Sequence, residues 1–178
     1  TQGALKGNPI WFKISSGLEF SALSMSNDGK TVFAGTAGGA VYRITVPSLW
    51  DSVYRYTDTI SNMPSGSTYT YPLYSSCTTK LIASYPSRYI TDLSNGGPNG
   101  NTLLVTLANY GNNSYIYKSL TAVDSISPVF TDITSNLPKM PIYTSLCLGG
   151  STNKLMIGTE LGIWGSDNGG TSWSELNM

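Results

Sequence analysis

Histidine is missing from all 178 residues of this chain, and cysteine occurs only at Cys77 and Cys147. Without an imidazole there is no Ser-His-Asp triad, no Cys-His dyad and no His-ligated zinc site, because each needs that ring as base or ligand. Charge is scarce too. Ten basic and ten acidic residues cancel, with neither sign clustered, whereas holding a phosphate backbone takes several Lys or Arg on one face. Nucleic acid is thereby excluded as a dedicated partner, and an anionic membrane surface with it. No apolar run approaches the roughly 18 residues of a spanning helix, and residues 1–9 lack signal-peptide character. The sequence calls for no membrane insertion, no metal and no cofactor.

What is abundant is Gly (19), Tyr (12), Ser, Thr and Asn. No window holds a sustained helical period, so the chain reads as all-β, with short strands joined by polar turns. Residues 21–43 and 144–166 also repeat each other without a gap. An offset of 123 places Leu23 on Leu146, Gly35-Thr36 on Gly158-Thr159 and Gly39 on Gly162. Repetition of a short β unit is the mark of a propeller or an array.

Each unit reads as a four-stranded antiparallel sheet. In the first, 20–26, 31–36 and 40–46 are successive strands, with the Asn27-Asp28-Gly29 and Ala37-Gly38-Gly39 turns between them and an outer strand somewhere in 51–79. The second unit takes strands 89–94, 102–107, 114–120 and 128–133. The third takes 142–149, 154–159, 162–166 and 172–176. Residues 10–15 resemble the outer strands of the later units and read as the outer strand of a preceding blade. The expected architecture is therefore a partial β-propeller over 1–178: residues 1–16 close a preceding blade, 17–85 form a first blade with a long insert, 86–136 a second and 137–178 a third. Closed propellers have about 4–8 blades, so neighbouring blades, of this or another chain, are needed to complete a ring. The sequence reads as an excised part of a longer array in preference to separate chains completing one another.

The sharpest motif is Ser166 to Trp173, which matches the Asp-box pattern Ser-x-Asp-x-Gly-x-Thr-Trp, with Asn168 in the Asp position and Ser172 in the Thr position. Ser166 and Asn168 suit bonds to nearby backbone, Gly170 a positive φ, and Trp173 a pin holding the turn to its sheet. Such boxes sit between the third and outer strands of propeller blades and report fold, not chemistry. Together with the segments around 31–45, 88–119 and 131–173, the chain resembles the BNR/sortilin-like propeller region of large secreted and surface proteins of Bacteroidota. The resemblance implies an extracellular or cell-surface interaction scaffold that binds protein or glycan, and no enzymatic activity.

Sialidases need three arginines on the substrate carboxylate, and Arg43, Arg55 and Arg88 fit no such motif. Other glycosidases need paired carboxylates about 5–10 Å apart; the candidates are Asp28, Asp92, Asp132, Glu160 and Asp167. Asp92 stands out, because its place on an innermost strand lets it face a central channel. The alternative function is therefore the non-catalytic portion of a carbohydrate-active propeller enzyme. The loop through Tyr110, Asn112, Asn113 and Tyr115 joins aromatic faces to amides, which suits sugar hydroxyls or a protein partner. The Tyr-rich insert 51–85 offers a second such surface or a cover for the blade edge. Cys77 and Cys147 are expected to be unpaired and mostly buried.

Overall fold

The computed structural model describes residues 14–15, 17–47 and 77–176. These form three four-stranded antiparallel sheets. The first runs in the order β1 (Phe20–Met25), β2 (Thr31–Thr36), β3 (Ala40–Thr45) and β4 (Thr78–Ser84). The second runs β5 (Ile90–Gly96), β6 (Thr102–Leu107), β7 (Ile116–Ser119) and β8 (Thr131–Asp132). The third runs β9 (Ile142–Cys147), β10 (Leu155–Thr159), β11 (Gly162–Ser166) and β12 (Ser174–Glu175). No α-helix occurs among the described residues. Residues 10–13, most of the expected preceding outer strand, and the tyrosines of 51–76 lie outside the described residues; Ile14 packs against Ala34, Ile44 and Val46 on the first sheet.

The sheets stand face to face in chain order, with β1 touching β5 and β5 touching β9. Two apolar cores fill the seams. Phe33 and Val41 of the first sheet meet Ile90, Leu93, Leu103 and Val105 of the second. Leu104, Ile116 and Ile133 of the second meet Ile142, Leu155, Ile157 and Trp173 around the third. Each fully buried Leu, Ile or Phe contributes about 1.5–3 kcal/mol. The middle strand β6 is buried at every position, because one alternate set of its side chains faces each neighbour. Close approach requires glycine at Gly35, where an added methyl would stand 2.5 Å from Ile90 Cγ2.

Three expectations need correcting. The outer strand of the first sheet is Thr78–Ser84, at the far end of the region assigned to it and mostly beyond it, and it pairs with β3 from Thr45↔Thr78 to Ala40↔Ser84. The outer strands of the other two sheets are only two residues long, with Ile133 N to Ile116 O and Leu176 N to Ile163 O as single bonds continuing beside them. The gapless repeat also slips in space. Leu23 pairs with Ala34, but Leu146 pairs with Met156, and it is Ser145 that faces Ile157, the repeat counterpart of Ala34. The cause lies in the first turn: Ser26 N donates to Thr31 O, whereas the third unit closes one residue wider, from Leu148 N to Lys154 O. A shift of one residue turns every side chain to the other face. Leu23 consequently points away from the second sheet on one side of the array and Leu146 points away from it on the other, and both are exposed.

Candidate functional site

In an antiparallel sheet, the start of the first strand and the turn between the second and third strands lie at the same end. That end carries Tyr89, just ahead of β5; Tyr143, the second residue of β9; the β6–β7 loop through Asn109, Tyr110, Asn112 and Asn113; and Glu160 in the β10–β11 turn. Tyr89, Tyr110 and Tyr143 are 42%, 61% and 49% exposed, and they are the exposed aromatic side chains among the described residues. All three gather at one end although buried aromatics are spread through every sheet.

Local bonds hold this group in place. The Tyr110 hydroxyl donates to Glu160 Oε2 across the second seam. Tyr143 lies alongside, and the hydrogen bond to Glu160 keeps the Tyr110 phenol well above the ordinary tyrosine range, with smaller effects from burial and Tyr143. Tyr89 N donates to Asn109 Oδ1 at 2.8 Å, Asn112 Nδ2 donates to Asn109 O at 2.6 Å, and Lys139 Nζ donates to Asn113 Oδ1 at 2.6 Å. Asn109 holds the loop through a positive φ of 74°, which asparagine tolerates better than most residues.

Tyr115 does not belong to this surface, contrary to the sequence-based expectation. It is fully buried, its hydroxyl accepting a bond from Asn112 N at 3.1 Å and its ring lying 5.1 Å beneath the Arg88 guanidinium. Arg88 in turn donates to Ala108 O twice and to Ser114 O once, so the arginine at this end is taken up in shaping the loop. Burial lowers its pKa below the ordinary arginine value.

Asp92, the carboxylate on the innermost strand, is hydrogen-bonded between two blades. Its Oδ2 accepts Ser145 N at 2.7 Å, with Thr144 Oγ1 and Ser145 Oγ each at 3.3 Å. The carboxylate thus clamps β5 to β9 and is held in the seam by the next sheet. Strand pairing makes Thr144 its counterpart in the third sheet, opposite Gly158 as Asp92 is opposite Thr106. The other carboxylates are dispersed. Asp28 is held by Ser26 Oγ at 2.6 Å and Lys30 N at 3.0 Å, bonds that depress its pKa. Asp132 accepts from Ser114 and Thr134, and Asp167 lies exposed in the turn after β11.

The turn at Ser166–Trp173 occupies the opposite end of the third sheet from the tyrosines. Ser166 Oγ accepts Gly170 N at 2.9 Å, Asn168 Oδ1 accepts Ser172 N at 2.9 Å, and Gly170 has φ +93°. Trp173 reaches beyond its own sheet. Its Nε1 donates to Ile133 O at 2.8 Å and its backbone N to Asn136 Oδ1 at 2.8 Å, while Lys118 Nζ donates to Gly169 O from β7. The turn is therefore a latch on the second sheet. At the matching place in the first sheet Arg43, opposite Phe33 as Lys118 is opposite Leu104, donates to Ala122, Val123 and Ser125 carbonyls at 2.7–2.8 Å. A groove of about 670 Å³ beside the latch is lined by Lys118, Val129, Asp132, Ser135, Gly169 and Thr171, with its cation already engaged.

Sequence reasoning missed Tyr89 and Tyr143 as companions of Tyr110 at one end, missed the bonds by which Arg88 shapes the loop there and Lys118 holds the turn at the other end, and weighed Glu160 only as a catalytic acid. One signal was present: in the second and third units a tyrosine flanks the first residues of the innermost strand, at Tyr89-Ile90 and Ile142-Tyr143. Among the described residues, no group of three or more His, Cys, Asp or Glu is placed to hold a metal, and no helix is long and apolar enough to cross a membrane.

No protein-family model matches the chain, and neither does any curated protein. Among solved structures it is similar to the β-propeller domain of Myceliophteria thermophila Cps50 (Swd1), with a TM-score of 0.50 and 13% identity, over 85% of this chain and 41% of that one. The likeness is one of fold: the three sheets are propeller blades, and this chain spans less than half the length of that neighbour.

Proposed function

We propose that this chain is a non-enzymatic propeller module of an extracellular or cell-surface protein, and that it binds a protein or glycan through the end carrying Tyr89, Tyr110, Tyr143 and Glu160. Its three blades are part of a larger ring of the BNR/sortilin-like kind, completed by further blades. The observation that carries the reading is the gathering of the exposed tyrosines at one end, since clustered Tyr rings with amide and carboxylate neighbours are characteristic of recognition surfaces. Propeller folds present such surfaces on rigid sheets, with loops free to vary.

The rival reading, a portion of a carbohydrate-active enzyme, loses its leading candidate in Asp92, whose carboxylate is held by Ser145. The candidates Asp28, Asp92, Asp132 and Glu160 each bond to different partners, and none of these bonds joins two of them into the pair of carboxyl groups that glycoside hydrolysis needs. The test is a binding screen of the chain against extracellular proteins and a glycan array, run beside the Tyr110→Ala, Tyr143→Ala double variant. Loss of the captured ligand in the variant, with its melting temperature unchanged, supports the assignment. Turnover of a polysaccharide by the chain that is abolished in Asp92→Asn overturns it.

A further inference from the structure

Each inner seam joins the forward face of one blade to the rear face of the next, and its contacts carry over to the two faces left open, on the reading of the three blades as part of a closed ring. Strand pairing sets the equivalences. On the forward faces Ala22, Asp92 and Thr144 correspond, opposite Gly35, Thr106 and Gly158, and so do Ser24, Ser94 and Leu146, opposite Phe33, Leu104 and Met156. On the rear faces Phe20, Ile90 and Ile142 correspond, as do Leu23, Leu93 and Ser145, and Met25, Asn95 and Cys147.

The seams then show what each position touches. Ile90 seats on Gly35, Asn95 N donates to Ser24 Oγ at 3.1 Å, and Ser145 N donates to Asp92 Oδ2 at 2.7 Å. The same contacts, made between the rear face of the first blade and the forward face of the third, bring Phe20 onto Gly158, Met25 onto Leu146 and Leu23 onto Thr144. Both open faces have exchanged polar for apolar groups at matching places. Leu146 stands where Ser24 is an acceptor and the uncharged Thr144 where Asp92 is one, and Leu23, Met25 and Leu146 are each more than half exposed. Over Gly158 lies an apolar groove of about 290 Å³ lined by Thr144, Leu146, Met156 and Ile163, at the position where the Gly35 seat is filled by Ile90. Gly165 takes the place of Arg43 and Lys118, so no cation at that position calls for a carbonyl cradle. Apolar side chains set against one another gain by burial, whereas a buried acceptor set against leucine loses its partner.

We infer that a second copy of this chain covers both open faces at once: two copies, related by a two-fold axis along the channel, meet first blade to third blade twice and close a ring of six blades. One partner that satisfies both ends leaves neither apolar face in water. Six blades fall within the roughly 4–8 of closed propellers. The contact is head-to-tail, and it closes as a ring because propeller blades are stacked with curvature.

The experiment is sedimentation of the full chain from about 1 to about 100 µM. The expected result is a monomer that passes with concentration into a species of twice 19.0 kDa, while the signal per chain from a dye that reports apolar surface falls along the same series. Leu146→Glu and Met25→Lys, both on exposed side chains, are each expected to weaken association at least about tenfold with the tyrosine-end resonances unchanged. The double variant is expected to recover it, because both contacts of the ring then set Glu against Lys. A monomer at every concentration overturns the inference and leaves closure to blades of a longer chain. Association that responds to only one of the two single variants, or that the double variant fails to recover, means that a face pairs with itself or lies outside the contact, and overturns it as well. Open oligomers that grow beyond the dimer deny closure, and the ring reading falls with it.

Discussion

Asp92 illustrates how one side chain changes meaning once its neighbours are known. In sequence it is a carboxylate on an innermost strand; in the fold it accepts a backbone N–H from the next blade. Asp92→Ala leaves the Ser145 amide without its partner in a closed seam and is expected to cost about 1–3 kcal/mol in urea unfolding, whereas Asp92→Asn, which still presents an acceptor oxygen, costs less. Equal losses for the two would refute the clamp. Cys147 is a second residue read through its surroundings. It is unpaired, and burial between Gly96 and Lys118 pushes its thiol up to about 11, with Lys118 opposing in part. Because its folded value is raised, the stability contributed by the neutral thiol is present below the ordinary value of 9.0 and is lost as pH rises through about 11. At pH 8, Cys147 should react with a thiol reagent far more slowly in the folded chain than in urea; equal rates in the two conditions would count against its burial. At the tyrosine end, Glu160→Gln replaces a charged acceptor with a neutral one and so weakens the hold on the neutral Tyr110 phenol, and the Tyr110 ring should titrate at lower pH in the variant, as read by NMR of labelled tyrosine.

At the level of elements, the Ser166–Trp173 turn couples two blades. Its internal bonds, Ser166 to Gly170 and Asn168 to Ser172, set a rigid loop, and Trp173, Lys118 and Asn136 carry that rigidity across the seam. A methyl at Gly170 would stand 2.7 Å from Ile133 Cβ at a φ of +93°. Gly170→Ala is therefore expected to destabilise by about 1–3 kcal/mol, visible as a lower urea midpoint with the tyrosine-end chemical shifts unchanged. Much of this element was legible in advance, because Ser, Asn, Gly and Trp at fixed spacing act mainly on adjacent backbone. Its attachment to the second blade was not legible, since Ile133 and Asn136 are distant in sequence and carry no matching motif. The register slip has the same character. Glycine and threonine identities aligned the two repeats without a gap, but one extra residue in the 149–153 turn decides which face each inner-strand leucine takes.

For the molecule as a whole, that slip leaves apolar side chains on both outward faces of the array. Leu23, Met25 and Leu81 stand exposed on the first blade, and Leu146, Ile163 and Leu176 on the third. The third blade has Gly165 opposite Met156, where the first two carry Arg43 and Lys118, so no cation stands at that position. Faces of this kind seek cover. The isolated chain should bind a dye that reports apolar surface, and Leu146→Ser with Ile163→Ser should lower that signal without shifting the tyrosine-end resonances; an unchanged signal would mean that these residues are covered in solution.

The sequence by itself determined the all-β class, the three four-stranded units and the tight hydrogen-bonded turn at Ser166–Trp173, because strand alternation, turn residues and short hydrogen-bonding motifs act over a few neighbouring positions. Only the tertiary structure decided that Asp92 is a seam clamp, that Tyr115 is core while Tyr89 and Tyr143 join Tyr110 at the surface, and which way each repeat leucine faces. Those outcomes depend on contacts between residues some 50 positions apart, as from Tyr110 to Glu160 or Asp92 to Ser145, and on the parity of a turn length, neither of which local composition encodes.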